Sequence, residues 1–163
     1  MILEKTYNWY ALKARPHKEE YVLRELELKS YTAYLPHIWK YKSAQKRQKK
    51  LLIPGYVMVH ACYRDFEKLR YIRGSKGLLN INGIPGKITE SEMDFLRKVC
   101  GESGYEPELG NYHPGDSIKI LTGPLKGRKA VVASTDRHKI GVDLCQDTFR
   151  VWINAKRTMV ESI

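Results

Sequence analysis

The sequence has few cysteines and no long apolar run, and each shortage excludes a class of protein. Its three cysteines, Cys62, Cys100 and Cys145, are an odd number spread far apart. That spacing fits neither a disulfide framework nor the close ligand pairs of a zinc site. The longest mainly apolar stretch runs from Tyr56 to Tyr63, far short of the roughly 20 residues of a membrane helix. We therefore expect no disulfide, no metal and no membrane span.

Recognisable catalytic groups are also missing. The five histidines are scattered, and none stands at a metal-ligand spacing from another histidine, cysteine or carboxylate. No Walker-type or dinucleotide-binding glycine motif occurs. The start of the chain, Met1 to Lys5, lacks the charged start, apolar run and cleavage site of a secretory signal. We expect a cytoplasmic protein that is not an enzyme and that uses no cofactor.

Acidic residues are scarce and unevenly placed, which predicts two domains. The chain has 18 Asp and Glu against 29 Lys and Arg, a net charge of +11. Most of the excess lies in residues 1–100, whereas residues 101–115 hold three acids and no base. This middle piece is rich in Gly and Pro and lacks apolar periodicity, so it reads as a flexible linker. The predicted domains are residues 1–100 and 116–163.

The first 100 residues alternate strand and helix patterns. Short β-branched and aromatic runs predict strands, and Val22 with Leu26 recur at helical spacing. The tetrad Thr89-Glu-Ser-Glu92 is a capping box ahead of a further helix that Gly101 ends. The predicted strands cover 8–14, 32–41, 56–62 and 77–83, and the predicted helices cover 18–30, 65–71 and 90–100.

The region after the linker is patterned as β structure throughout. Short β-branched runs over 117–120, 129–133, 139–144 and 148–153 are separated by turn residues. Strands so short and closely spaced favour a small barrel, which closes its own edges. We predict an α+β chain, with an α/β sandwich on an antiparallel sheet followed by a constitutive small β-barrel.

Two motifs carry a resemblance to a known family. The first is Pro54-Gly-Tyr-Val-Met-Val59, and the second is Gly115-Asp-Ser-Ile-Lys-Ile-Leu-Thr-Gly-Pro-Leu-Lys-Gly127. Together with the early Trp9-Tyr10 and with Ile84-Pro85, they follow the order of NusG-type transcription elongation factors. The chain resembles that family over essentially its whole length.

The resemblance implies an NGN-like first domain and an SH3-like KOW barrel as the second. In this family the NGN domain docks on the clamp helices of the largest RNA polymerase subunit and favours uninterrupted elongation. The KOW barrel recruits a partner such as a ribosomal protein or a termination factor. In some specialist relatives this domain can also refold into a helical pair, but the Gly and Pro residues that break the β-branched runs here oppose that change. No reaction is catalysed, and we expect a monomer.

A concave apolar patch faces the polymerase in this family. The matching positions here are Tyr10, Ile53, Pro54 and Tyr56. Alternatively, Tyr56 and Trp9 fill the domain core, since neighbouring strand residues face opposite sides of a sheet. We expect Tyr56 to be exposed and Trp9 to be buried. Ile53 departs from the aromatic residue that often precedes Pro-Gly-Tyr in the family.

Two basic sets are candidates for contact with non-template DNA or nascent RNA. Relatives resembling RfaH hold non-template DNA on a face that matches the first set, and Arg is better suited than Lys to reading guanine edges. The second set belongs to the run Lys40, Lys42, Lys46, Arg47, Lys49 and Lys50, which predicts a mobile hairpin tip. Ordinary solvated charge is the alternative for both. The candidates are Arg15, His17, Lys18, Arg73 and Lys76 in the first set, and Lys46, Arg47 and Lys49 in the second.

The tight loop of the second domain is the candidate partner site. It consists of Gly123, Pro124, Leu125, Lys126 and Gly127. We expect glycines with positive φ and an exposed leucine at its tip, although the loop also fits a simple turn. Two aromatic residues of the second domain, at 149 and 152, are assigned to packing rather than to base stacking.

The function predicted from the sequence is bacterial transcription elongation and antitermination. The basic first domain, the cationic hairpin and the departure at Ile53 favour an operon-restricted specialist, resembling RfaH or the UpxY-type paralogues of capsule operons. The alternative is a ribosome- or RNA-binding protein acting in translation, because KOW-like barrels also occur in ribosomal proteins. The sequence leaves the target operon, the barrel's partner and the relative orientation of the domains open.

Overall fold

The computed structural model describes residues 6–101, 113–121, 124–134, 139–154 and 160–162. The first domain contains three α-helices and a 3-10 turn at Tyr63–Asp65. The helices are α1 (Glu19–Leu28), α2 (Phe66–Arg70) and α3 (Glu90–Gly101). The strands are β1 (Asn8–Ala14), β2 (Thr32–Tyr34), β3 (His37–Ser43), β4 (Lys46–Leu51), β5 (Tyr56–Ala61), β6 (Ser75–Leu78), β7 (Asn80–Ile81), β8 (Ile84–Pro85) and β9 (Lys87–Ile88).

An antiparallel sheet in the order β2–β5–β1–β6, with β9 also paired to β1, forms the centre of this domain. Because side chains alternate along a strand, β1 contributes to two cores. Trp9 and Ala11 pack with Met93 and Leu96 of α3. Tyr10 and Leu12 belong to the second cluster, together with apolar residues of α1 and α2. The α/β sandwich with an antiparallel sheet is therefore confirmed.

The predicted strand over 32–41 is wrong as a single element. The chain leaves the main sheet at Leu35-Pro36, since Pro36 has no N–H to donate to a ladder, and β3 then pairs with β4 as a separate ribbon. The predicted strand over 77–83 is also divided. There β7 and β8 form a small hairpin around Asn82 and Gly83, both with positive φ, as expected of an Asn-Gly turn.

The capping box at the start of α3 is confirmed. The Glu92 N–H donates to Thr89 Oγ1 at 3.2 Å, and the Thr89 N–H donates to Glu92 Oε1 at 3.0 Å. These reciprocal bonds satisfy two donors that the helix leaves unpaired. Glu92 is thereby fixed on the first turn of α3, where its second oxygen points away from the cap.

The second domain is a five-stranded antiparallel sheet. Its strands are β10 (Ser117–Ile120), β11 (Lys129–Ser134), β12 (Lys139–Leu144), β13 (Phe149–Asn154) and β14 (Val160–Ser162). They follow the order β13–β12–β11–β10–β14. The four predicted strands are present, and β14 is an addition that the sequence analysis missed. Most of the predicted linker, residues 102–112, lies outside the described residues.

The two domains share one apolar cluster. Buried residues of the second domain, including Ile118, Leu125 and Phe149, join Ile53, Met93 and others of the first. The sequence left the relative orientation of the domains open. In the structure the C-terminal domain packs against the α3 side of the first domain's sheet.

Candidate functional site

The Pro-Gly-Tyr motif forms the turn that leads into β5. Gly55 has φ +90, a conformation that side chains other than glycine rarely adopt. Its carbonyl accepts a hydrogen bond from the Ala14 N–H at 2.8 Å, which ties the turn to the end of β1. Pro54 is exposed and Tyr56 is half-buried. We call Ile53, Pro54 and Tyr56 the docking face.

Tyr10, the fourth predicted member, lies elsewhere. It is 4% exposed and its ring meets the edge of Phe66 with ring centroids 5.0 Å apart. Tyr10 points to the opposite side of β1 from Trp9, which is buried as predicted. A residue so enclosed supports the fold and offers no surface to a partner, so we leave Tyr10 out of the docking face.

The C-terminal domain covers the docking face. The rings of Tyr56 and Phe149 meet edge to face with centroids 4.7 Å apart, within the favourable range for aromatic pairs. Ile53 is only 6% exposed. Tyr56 is therefore less exposed than we predicted, because a residue of the other domain packs on it.

Glu92 is the polar centre of the contact between the domains. Its side chain is 1% exposed. Its Oε2 accepts hydrogen bonds from Arg128 Nη1 at 2.8 Å and from the Cys145 N–H at 2.6 Å. Both donors belong to the second domain, whereas Oε1 remains bonded to Thr89. We call these two cross-domain hydrogen bonds the Glu92 latch.

The latch holds Glu92 as a carboxylate. Burial is the largest single influence and raises its pKa, but hydrogen bonds from the backbone N–H groups of Thr89 and Cys145 and from Arg128 outweigh it. The pKa of Glu92 consequently lies below its ordinary value of 4.5. The charge is retained at neutral pH because every oxygen has donors.

The turn that offers the Cys145 N–H has unusual backbone geometry. Cys145, Gln146 and Asp147 all have positive φ, between 53° and 61°, although none is glycine. Such conformations cost free energy and persist only where the surroundings enforce them. The Cys145 thiol is buried with its Sγ 3.6 Å from the carbonyl oxygen of Lys87 in the first domain. Burial, together with the nearby Glu92, raises the pKa of the thiol to about 11.

The structure brings most of the first basic set together. The Arg15 N–H donates to the Gly74 carbonyl at 2.8 Å, which joins the loop before α1 to the loop after α2. Gly74 approaches α1 closely, because a Cβ placed on it would lie 3.2 Å from the Val22 side chain of that helix and 3.5 Å from the Cβ of Lys18 just before it. Arg15, His17, Lys18 and Arg73 are all exposed around this junction.

Lys76, two residues after Gly74 in the sequence, lines a cleft of about 430 Å³ that the sequence analysis missed. Lys13 and Arg70 also line the cleft, and its lining contains no Asp or Glu. Arg70 pairs at 3.4 Å with Glu67 on the exposed side of α2. The signal available in the sequence was only the general basic excess, since these three cations come from three different elements.

The second basic set lies on the ribbon formed by β3 and β4. Lys46 and Arg47 are exposed, and Lys49 forms an ion pair with Glu20 of α1. The run predicted as a mobile hairpin tip forms a two-stranded ladder from His37↔Leu51 to Ser43↔Lys46, with an irregularity between Tyr41 and Ser43. The side chains of Lys40 and Lys42 lie outside the described residues.

The loop of the second domain differs from its prediction in one residue. Leu125 is 2% exposed and belongs to the core, so the expectation of an exposed leucine is wrong. The Gly127 N–H bonds the Ile120 carbonyl at 2.7 Å, and this closure turns Leu125 inward while Lys126 stays exposed. Gly127 has the expected positive φ, Pro124 is half-buried, and Gly123 lies outside the described residues.

The described part of the chain holds neither a metal site nor a membrane helix. No group of three or more His, Cys, Asp and Glu side chains there is arranged to hold a metal ion. No helix in the same residues has the length and apolar character needed to cross a membrane.

Family comparisons match both halves of the chain. Residues 7–97 match the family model described as "Transcription termination factor nusG". Residues 114–151 match the KOW motif.

Individual proteins agree with these matches. The chain is 33% identical to transcription elongation factor Spt5 of Pyrococcus furiosus over 90 residues, which are 53% of this chain and 51% of that protein. It is 34% identical to Spt5 of Methanocaldococcus jannaschii over 97 residues, 56% of each protein. The chain thus spans about half the length of these two relatives.

A longer but weaker similarity links the chain to bacterial proteins. It is 22% identical to the transcription termination/antitermination protein NusG of Pseudomonas aeruginosa over 148 residues, 80% of this chain and 83% of that protein. The solved structure "Domain interaction in Thermotoga maritima NusG" is 20% identical, with a TM-score of 0.66 over 97% of this chain and 98% of that one. At this identity the likeness concerns the fold alone.

Proposed function

Because the chain belongs to the NusG family of transcription factors, we propose that it docks on the clamp helices of RNA polymerase through Ile53, Pro54 and Tyr56 and promotes elongation. The observation that carries this proposal is the apolar docking face itself, which already receives an aromatic side chain, Phe149, from another domain. Aromatic residues in such faces contribute much of the binding energy of protein interfaces.

Docking on polymerase and packing of the C-terminal domain compete for the same residues. Tyr56 cannot meet a polymerase helix while its ring packs on Phe149, and Ile53 is buried in the shared cluster. We therefore assign the structure to a closed state, from which the C-terminal domain must depart before the polymerase binds. The apparent affinity for polymerase is then reduced in proportion to the open fraction.

The exposed cations around the Arg15–Gly74 junction are proposed to hold nucleic acid at the polymerase. Arg15, His17, Lys18 and Arg73 are exposed on the two loops that the Arg15–Gly74 hydrogen bond joins, and Lys76 lines the cleft with Lys13 and Arg70. Each phosphate neutralised by such a group adds affinity that declines with salt. On the ribbon, Lys46 and Arg47 are free of acidic partners among the described residues, whereas Lys49 is engaged by Glu20.

The second domain is proposed to recruit a ribosomal protein or a termination factor through its loop. With Leu125 buried, the described residues of the loop that offer surface are Pro124, Lys126 and Gly127. Arg128, which follows them, is occupied by Glu92 in the closed state. Opening of the domains would release that guanidinium for a partner. The protein is proposed to act in the cytoplasm, as a monomer.

We further propose that the protein serves particular operons. The basic first domain and the isoleucine before Pro-Gly-Tyr support this, since both adapt the surface to a particular signal. Genome-wide occupancy tests it: enrichment at a few long operons is expected, and uniform binding to most transcribed genes would refute the restriction.

Polymerase docking is tested by direct binding of the full chain to RNA polymerase from the source organism. Tyr56→Ala is compared with Tyr71→Ala, which removes a more exposed tyrosine from the same domain. Both are made in a Glu92→Gln background, because Tyr56→Ala alone also loosens the closed state. We expect Tyr56→Ala to weaken binding about 30-fold, the effect of a central interface residue, and Tyr71→Ala to leave it unchanged.

Salt distinguishes docking from the competing function in translation. An apolar contact persists at higher ionic strength, whereas contacts between exposed charges are screened. Binding that is indifferent to Tyr56 and abolished by salt would refute the docking face. Co-purification with ribosomal subunits in the absence of polymerase would favour the ribosome- or RNA-binding alternative.

A further inference from the structure

The ribbon of β3 and β4 exposes an aromatic ring beside its cations. Trp39 is 45% exposed, although indole rings are usually buried for most of their surface. The ribbon pairs with no other sheet among the described residues. Trp39 therefore stands on a projecting element, where it contributes little to either core of the first domain.

Trp39 forms a stack with its neighbours on the ribbon. The Arg47 guanidinium carbon lies 4.3 Å from the centroid of the Trp39 ring, within cation–π range. The His37 ring meets Trp39 edge to face at 5.8 Å. In the ladder Trp39 stands opposite Lys49, so its ring and that lysine occupy the same face of the ribbon.

The ribbon presents positive charge with little neutralisation. Its residues from His37 to Leu51 include no Asp or Glu. In the described part of the chain Lys49 is paired with Glu20, while Lys46, Arg47 and Lys50 make no ion pair. Arg47 shares the Trp39 face, whereas Lys46 and Lys50 lie on the other face of the same strand. A planar ring, a guanidinium and unpaired cations are the groups that bind single-stranded nucleic acid, where bases stack and phosphates are neutralised.

We propose that Trp39 and Arg47 form a platform on which an unpaired nucleotide base stacks, with Lys46 and Lys50, whose side chains alternate onto the other face of β4, reaching round this strand to the flanking phosphates. A base in a duplex is already stacked on both faces, so the platform selects single strands. This inference deepens the nucleic-acid part of the proposed function by naming the strand state and the aromatic contact. It does not depend on polymerase docking.

The protein offers a matched control for Trp39. Trp152 on the second domain is 47% exposed and lies under a guanidinium, that of Arg150, at 5.6 Å. The difference lies in the guanidinium. Arg150 forms an ion pair with Asp143 at 2.7 Å, whereas Arg47 beside Trp39 makes no ion pair among the described residues. If exposed tryptophan alone were sufficient, both positions would respond equally.

The experiment measures binding of the full chain, without polymerase, to short labelled oligothymidine, oligouridine and duplex DNA. Trp39→Leu is expected to weaken single-strand binding about 10-fold, the loss of one stacked base. Trp39→Phe, which keeps an aromatic face, recovers most of that loss and controls for the fold of the ribbon. Trp152→Leu leaves binding unchanged. Oligothymidine and oligouridine distinguish DNA from RNA as the natural strand.

Two further readouts separate stacking from charge. In a Trp152→Phe background, quenching of tryptophan fluorescence by unlabelled oligothymidine reports on Trp39, because Trp9 is buried. Trp39→Leu leaves the salt dependence of binding unchanged. The double variant with Lys46→Gln and Lys50→Gln instead makes the plot of log affinity against log salt concentration less steep. Its slope falls by about 0.7 for each phosphate that the two lysines neutralise in the wild type.

Three outcomes would overturn the proposal: equal losses from Trp39→Leu and Trp152→Leu, no loss from Trp39→Leu, or duplex binding as tight as single-strand binding. The last would instead indicate a ribbon that enters a groove. If the lysine substitutions weaken binding and Trp39→Leu does not, stacking fails while the phosphate contacts of the proposed function stand. Polymerase docking is judged separately, through Tyr56.

Discussion

Glu92→Gln is expected to open the closed state. The substitution keeps the length of the side chain, and glutamine still serves in a capping box, so the bonds with Thr89 at the start of α3 are retained. It changes the other end of the side chain. There Oε2 of Glu92 accepts hydrogen bonds from Arg128 and from the Cys145 N–H. The amide nitrogen of glutamine in that place is itself a donor, so it could accept neither hydrogen bond.

The size of the effect follows from these two hydrogen bonds. A hydrogen bond to a charged group contributes about 1.5–3 kcal/mol net, and an unsatisfied buried N–H costs about 1–3 kcal/mol. The Arg128 side chain is more than a third exposed, so solvent reduces its share. We therefore expect a loss of about 3 kcal/mol, which lowers the closed-to-open equilibrium constant roughly 100-fold.

Alkylation of Cys145 measures this equilibrium. In the closed state the thiol lies against Lys87 and has a pKa of about 11, so it reacts only after the domains separate. When closing is faster than the reaction, the rate follows the open fraction. Peptide mass spectrometry reads Cys145 separately from the other two cysteines, at one neutral pH, and the rate is expected to rise roughly 100-fold in Glu92→Gln.

Glu90→Gln is the control for this change. Glu90 stands in the same first turn of α3 but is exposed, and in the described part of the chain its ion pair is with Arg97, at 3.9 Å. Its removal is therefore expected to leave the alkylation rate unchanged. Equal rates in the wild type and Glu92→Gln would refute the latch. Equal acceleration by both substitutions would show that helix charge, rather than the two cross-domain bonds, controls opening.

Two further predictions concern pH and the loop of the second domain. The pKa of Glu92 is lowered in the closed state, so its contribution is complete above about pH 4.5 and is lost as the pH falls through the lowered pKa. Rotational correlation times from NMR should therefore show the domains separating in that acidic range, and a Glu92→Gln protein with the same pH dependence would contradict this. In chemical denaturation, Leu125→Ala should lower the free energy of unfolding of the second domain by about 2–5 kcal/mol. Lys126→Ala should change that free energy by less than about 0.5 kcal/mol. Equal effects of the two substitutions would contradict the burial of Leu125.

Local patterns were sufficient to predict most elements of the fold. The strand at β1, the helix at α1 and the capping box at Thr89 depend on residues close in sequence, and so the sequence displays them directly. Pro36 was visible too, yet a run of β-forming residues on both sides of it concealed the break between β2 and β3. The Asn82-Gly83 hairpin is a recognised turn signal that we read as part of a strand.

The contact between the domains could not be read in the same way. Glu92 was identifiable as a cap, but Arg128 stands 36 residues and Cys145 53 residues further along, beyond the linker. Leu125 was assigned to the surface because it stands beside the cationic Lys126 and Arg128 and because the family resemblance favours a partner-contacting tip. Its inward orientation depends on the hydrogen bond between Gly127 and Ile120. Tertiary contacts of this kind leave no periodic signal in a sequence.

A polar latch beside an apolar docking face suits a reversible closure. In the proposed docking, Ile53 and Tyr56 would lose water to a polymerase helix just as they do to Phe149, so apolar burial alone would discriminate poorly between the two partners. The Glu92 latch forms only with the C-terminal domain, and it therefore sets the preference for the closed state. Because the apparent affinity for polymerase scales with the open fraction, weakening the latch should strengthen polymerase binding by up to the same factor that it speeds Cys145 alkylation. If the two partners share one face, polymerase affinity and the rate of Cys145 alkylation should change in proportion across a series of Glu92, Arg128 and Phe149 variants. Polymerase affinity that stays constant across this series would place the docking surface elsewhere.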